Sequence, residues 1–127
     1  MSVARLVLRG SAAVFAALGL GWLFAPAQLA PLVGIGLGSP TAHTDARAVF
    51  GGLECGVACL LWLCARDASR VELGLLAALL AFGGLALGRV LGFALDGPSD
   101  ALGRALFGAE LVGVGAAAVA LARLRRR

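Results

Sequence analysis

Apolar positions fall in four long runs separated by short clusters of charge, proline and glycine. The runs are Leu6–Ala25, Ala48–Ala65, Leu73–Leu95 and Ala105–Ala122. Each approaches the roughly 20 helical residues that cross a hydrocarbon core. With their capping turns they give spans at 6–25, 46–65, 72–95 and 102–122. No alternating strand pattern competes, and an open sheet cannot satisfy its backbone in lipid. The pattern predicts an all-α protein: an integral membrane four-transmembrane-helix bundle, antiparallel and up-down, forming one domain over residues 1–127.

The punctuation between the runs sets the connections. Pro26 should end the first helix. Residues 27–44 form the longest link, where Pro31, Pro40, Gly34, Gly36 and Gly38 interrupt regular helix. Its apolar stretch Leu29 to Leu37 suggests an interfacial loop or a lid over the bundle mouth. Thr44 or Asp45 is the expected N-cap of the second helix. The short turns at Arg66–Arg70 and Asp96–Asp100 make successive helices antiparallel neighbours, with Ser99 or Asp100 capping the fourth.

Composition agrees with a lipid solvent: the chain is 61% hydrophobic, with a mean hydropathy of +0.96. The net charge of +4 is not a nucleic-acid signal, because the basic residues, all arginine, are sorted by loop. Arg5 and Arg9, Arg66 and Arg70, and Arg123 with Arg125 to Arg127 mark one side. Asp45, Asp96 and Asp100 mark the other, together with Arg47 and Arg104. The positive-inside rule then places both termini in the cytoplasm of a multi-pass inner (plasma) membrane protein. A rival reading takes Arg5 to Ala27 as a cleaved signal segment, which would leave three spans and spoil that sorting.

Cys55, Cys59 and Cys64 all fall in the second span, without zinc or redox spacing, and read as small packing residues. No metal and no cofactor is implied. Small-residue ridges at Gly52/Gly56, Gly84/Gly88/Gly92 and Ala105/Ala109/Gly113/Ala117 predict close helix association and a homo-oligomer.

Against this background three charges stand out within the spans: Glu54, Arg89 and Glu110. A central charge costs at least about 2.5–3.5 kcal/mol on insertion scales, so such groups face a bundle interior or a watery cavity. At 1.5 Å per residue Glu54 lies about 13 Å below Asp45, Arg89 about 10 Å below Asp96 and Glu110 about 15 Å below Asp100. Similar depth on three helices predicts that they converge. Glu54 and Glu110 are then candidate general acid and base around Arg89, with Arg47, Asp45, Asp96 and Phe50 as ligand-binding residues nearer the mouth. Arg47, seven residues before Glu54, is expected on the same face. Two acids around one arginine fit a small amphiphilic or isoprenoid-like ligand and acid–base chemistry such as isomerisation, cyclisation or epoxide opening. The competing readings are an ion network that only fixes packing, and an oligomeric transport or proton-relay element.

The residues Thr44-Asp45-Ala46-Arg47-Ala48-Val49-Phe50-Gly51-Gly52-Leu53-Glu54, Gly88-Arg89-Val90-Leu91-Gly92, Asp96-Gly97-Pro98 and Glu110-Leu111-Val112-Gly113 resemble a family of small bacterial four-helix membrane proteins. That family is described as a domain of unknown function, number 4345. The resemblance implies a four-span bundle and carries no activity with it.

Overall fold

The computed structural model describes residues 2–126, so Arg127, the last of the tail arginines, lies outside the described residues. Four long helices form: α1 (Val3–Phe24), α3 (Pro40–Arg66), α4 (Val71–Asp96) and α5 (Ala101–Arg125). All four are long and apolar enough to cross a membrane. Between α1 and α3 lie a single helical turn, α2 (Pro26–Leu29), and a 3₁₀ turn (Ala30–Val33). Gly34 closes that turn with φ of 72°, a left-handed conformation that favours glycine.

Local chemistry explains most of the boundaries. The Ser2 hydroxyl accepts from the Arg5 amide, and Asp100 accepts from the Gly103 amide at 2.8 Å to start α5. α1 stops at Phe24, one residue short of the Ala25-Pro26 step. The start of α3 differs from the sequence expectation. Ser39, not Thr44 or Asp45, is the cap, its side chain accepting from the Ala42 amide at 3.1 Å. Pro40 follows at the first helical position, where its missing N–H is no loss. The cap therefore lies five residues before Thr44, which lengthens the helix and shortens the link.

α3 carries a feature that hydropathy does not show. Residues Arg47–Gly52 form a π-helical segment, with regular α-helix on both sides. Its i→i+5 bonding places an extra residue in each turn. The π-helical segment packs against α1. A Cβ built on Gly19 would meet Cys55 Sγ at 2.7 Å and the Gly51 carbonyl at 2.9 Å. Only glycine permits that contact.

Contacts along the helices set an up-down order. Leu23 packs near Gly51 while Leu8 packs near Gly74 and the Gly74 position faces Cys64, so α1 and α3 run antiparallel. Glu72 bonds Arg125 and Arg89 bonds Glu110, so α4 and α5 do the same. These contacts bring the N-terminus, the α3–α4 turn and the C-terminal arginines to one end of the bundle. The core runs from that end through Leu8, Phe15, Leu61, Cys64, Leu75, Phe82, Ala117 and Leu121. A smaller cluster, Trp22, Ala30 and Ala46, sits under the α1–α3 link. Large apolar side chains such as Leu80, Leu87 and Val112 cover the outer surface, as lipid-facing residues do.

The glycine ridges divide. Gly113 is a contact position, whereas Gly56, Gly84 and Gly88 meet nothing within 4 Å. Close helix packing inside the chain uses Gly113 together with Gly19, Gly51 and Gly74, which lie off the expected ridges.

Candidate functional site

Arg89 and Glu110 both sit on core-facing registers of their helices. Along α4, Phe82 and Ala86 precede Arg89 on one stripe; along α5, Glu110 shares the stripe of Gly103, Ala117 and Leu121. Arg89 Nε donates to Glu110 Oε1 at 2.7 Å. The glutamate side chain is 8% exposed and the arginine side chain 31% exposed. Close helix approach supports the pair. Three residues from Glu110, Gly113 takes the Phe82 ring directly, so a Cβ there would lie 2.6 Å from ring carbons.

Glu54 occupies the equivalent register of α3, on the stripe continued by Ala58, Leu61 and Ala65. It is half-buried, and its Oε2 is buried without a hydrogen-bond partner. Among the described residues no ion pair joins it to Arg89. The three charges thus form one tight pair and one separate carboxylate. Glu110 Oε2 is likewise buried and unbonded.

The expected mouth residues take other positions. Arg47 donates through Nη1 to the Leu23 carbonyl, one of the unpaired carbonyls that end α1. Its seven-residue spacing from Glu54 does not return it to the same face, because the π-helical segment between them changes the pitch. Phe50 packs against Trp22 with ring centroids 4.9 Å apart. Asp45 and Asp96 are exposed, and neither forms an ion pair among the described residues. Among those residues no group of three His, Cys, Asp or Glu is placed to hold a metal ion.

Sequence reading missed the surroundings of Arg89. A cavity of about 230 Å³ opens beside it, lined by Leu32, Val33, Ser99, Asp100, Leu102, Gly103 and Leu106. Ser99 and Asp100 were legible as caps, and Leu32 and Val33 as part of an apolar link, but nothing in their spacing tied them to Arg89. Two exposed residues of the link, Leu32 and Val33, contribute to that lining.

Among the described residues this is an all-helical four-span membrane bundle with a charged pair in its interior and a polar-mouthed cavity beside it. The chain belongs to the family described as Domain of unknown function (DUF4345), whose model matches residues 3–121. No curated protein and no solved structure matches the chain.

Proposed function

We propose that this membrane protein binds a small amphiphilic molecule in the cavity at Arg89, with the arginine-rich end of the bundle in the cytoplasm and the cavity opening toward the opposite face of an inner (plasma) membrane. The observation that carries the reading is the cavity itself: one wall is Arg89, a second is Ser99 and Asp100, and the rest is leucine and valine with Gly103. Arg89 spends one N–H on Glu110, and its guanidinium has further donors for a ligand. The charge of the arginine is already balanced by Glu110, and Asp100 stands at the same mouth. A neutral head bearing a hydroxyl or carbonyl therefore suits the site better than an anion. An isoprenoid-like alcohol has that head and an apolar tail for Leu32, Val33 and Leu106.

Acid–base chemistry on such a ligand is the second reading, and the observation favouring it is the buried, unpartnered Glu54 Oε2. A carboxyl without a cation partner in a lipid-embedded bundle is suited to carry a proton. A purely structural ion network and an oligomeric proton relay are the competing roles.

Titration of the purified protein with farnesol and, in parallel, with palmitate tests the reading. Farnesol should bind more tightly than palmitate, and Arg89→Met/Glu110→Met should lose farnesol while retaining the fold. Undiminished farnesol binding by the double variant would leave the pair a structural role only. Tighter binding of palmitate would overturn the neutral-head assignment.

A further inference from the structure

We propose a second lipid site, at the arginine-rich end of the α1–α3 interface, that holds an anionic phospholipid with its phosphate at Arg9 and one acyl chain along the helices. It is independent of the Arg89 cavity.

The site starts from small side chains. Ala12 and Ala13 on α1 face Ala58 and Cys59 on α3, where most membrane helices would carry leucine. The result is a furrow of about 270 Å³ whose lining is almost wholly apolar. Ala12 and Ala58 are buried at its floor, while Ala13 and Cys59 are exposed along its rims. At one end Arg9 lies over the Trp62 ring, 5.6 Å from guanidinium carbon to centroid. That distance is within cation–π reach, which orients the guanidinium at the mouth of the furrow. Tryptophan and arginine together are the side chains that membrane proteins place at the level of lipid headgroups, arginine by extending its stem toward the interface.

Charge complementarity selects the occupant. Seven described arginines gather at this end, Arg5, Arg9, Arg66, Arg70, Arg123, Arg125 and Arg126, against two carboxylates, Asp67 and Glu72. Both carboxylates are already paired, Asp67 with Arg70 at 3.1 Å and Glu72 with Arg125 at 2.7 Å. Leaving Arg9 itself out of the count, Arg5, Arg66, Arg123 and Arg126 still make this end positive among the described residues, and such a surplus attracts anionic lipid. A furrow open to lipid, apolar along its length and basic at its end, has the shape of one acyl chain attached to a phosphate. A second copy of this chain would meet the same arginines with its own and be repelled there.

The test uses Trp62 as reporter, in a Trp22→Phe background so that a single tryptophan remains. The protein is reconstituted in phosphatidylcholine vesicles containing small fractions of phosphatidylglycerol or phosphatidylcholine brominated on the acyl chains. Brominated phosphatidylglycerol should quench Trp62 at lower mole fraction than brominated phosphatidylcholine. The preference should fall about fivefold in Arg9→Gln, the value of one arginine near an anionic surface. Ala13→Leu/Cys59→Leu fills the furrow from its exposed rims without entering the core, and should weaken quenching by both lipids. Equal quenching by the two lipids overturns the headgroup assignment, and so does a preference unchanged in Arg9→Gln. Unchanged quenching in Ala13→Leu/Cys59→Leu overturns the furrow. If Arg9→Gln fails to fold, the comparison of lipids and the rim variant still decide. A dimer in mild detergent that Ala13→Leu/Cys59→Leu dissociates would assign the furrow to a second copy instead.

Discussion

Arg89 Nε and Glu110 Oε1 meet at 2.7 Å, one on each helix of the antiparallel α4–α5 pair, with Phe82 seated on Gly113 one turn further into the core. The ion pair and the aromatic contact depend on the same close helix approach. Burial makes the two charges mutually dependent: each is tolerable because the other is there.

Removing one charge should therefore cost more than removing both. Glu110→Gln strands Arg89 and should destabilise the bundle toward the lower end of about 3–5 kcal/mol, since the arginine side chain is 31% exposed and keeps some access to water. Arg89→Met/Glu110→Met should recover most of that loss. Thermal unfolding in a mild detergent measures both. A double variant as unstable as the single one would mean that the pair contributes more than mutual neutralisation.

Most of the architecture was legible in the sequence because lipid imposes few alternatives. Apolar run length marked the four helices that are long and apolar enough to cross a membrane. Arg89 and Glu110 were legible as interior groups because their depths match. What was hidden has physical causes. The π-helical segment at Arg47–Gly52 is a matter of backbone hydrogen bonding and not a hydropathy pattern, and Arg47 at its start bonds the Leu23 carbonyl. The start of α3 was hidden because Ser39, Thr44 and Asp45 are all competent caps and only the path of the chain selects one. Outward glycines such as Gly84 and inward ones such as Gly113 look alike in sequence, since the ridge pattern does not say which face meets a neighbour.

Asp67, in the turn between α3 and α4, gives a pH prediction outside the membrane. Its carboxylate accepts from the Ser69 hydroxyl at 2.7 Å and the Ser69 amide at 2.9 Å, and these bonds, with Arg70 beside it, hold its pKa below the usual aspartate value. A depressed folded-state pKa contributes stability that is present above the unfolded value and is lost as pH falls through the folded one. Asp67→Asn should thus lower stability at neutral pH and match the parent in acid below the folded pKa. Unfolding midpoints across that pH range give the comparison. A constant offset at every pH would remove the titration from the explanation.

Topology is checked by two cysteines introduced one at a time after Cys55, Cys59 and Cys64 are replaced by alanine. Ser69 lies in the turn at the arginine-rich end, and Ser99 in the turn at the other end. With the arginine-rich end cytoplasmic, a membrane-impermeant thiol reagent should label Ser99→Cys in intact cells, and Ser69→Cys only after lysis. The reverse pattern would invert the protein and move the Arg89 cavity to the cytoplasmic face.

Assembly is the last consequence, and it turns on two classes of glycine. A methyl group at Gly113 would fall 2.6 Å from the Phe82 ring, so Gly113→Ala should destabilise the single chain by about 1–3 kcal/mol, the usual range for overpacking. Gly84 and Gly88 have open space around them, so Gly84→Ala and Gly88→Ala should leave the single chain within about 0.5 kcal/mol of the parent. An exposed small-residue ridge on a membrane helix permits close approach of a second backbone. A homo-oligomer built on that ridge should therefore weaken on Gly84→Leu/Gly88→Leu, which blocks approach without touching the core. Mass measurement in mild detergent reads the outcome against total protein concentration. If the parent is an oligomer and the leucine variant remains one with unchanged affinity, the ridge faces lipid and the assembly uses another surface. A parent that stays monomeric at every concentration removes the assembly altogether.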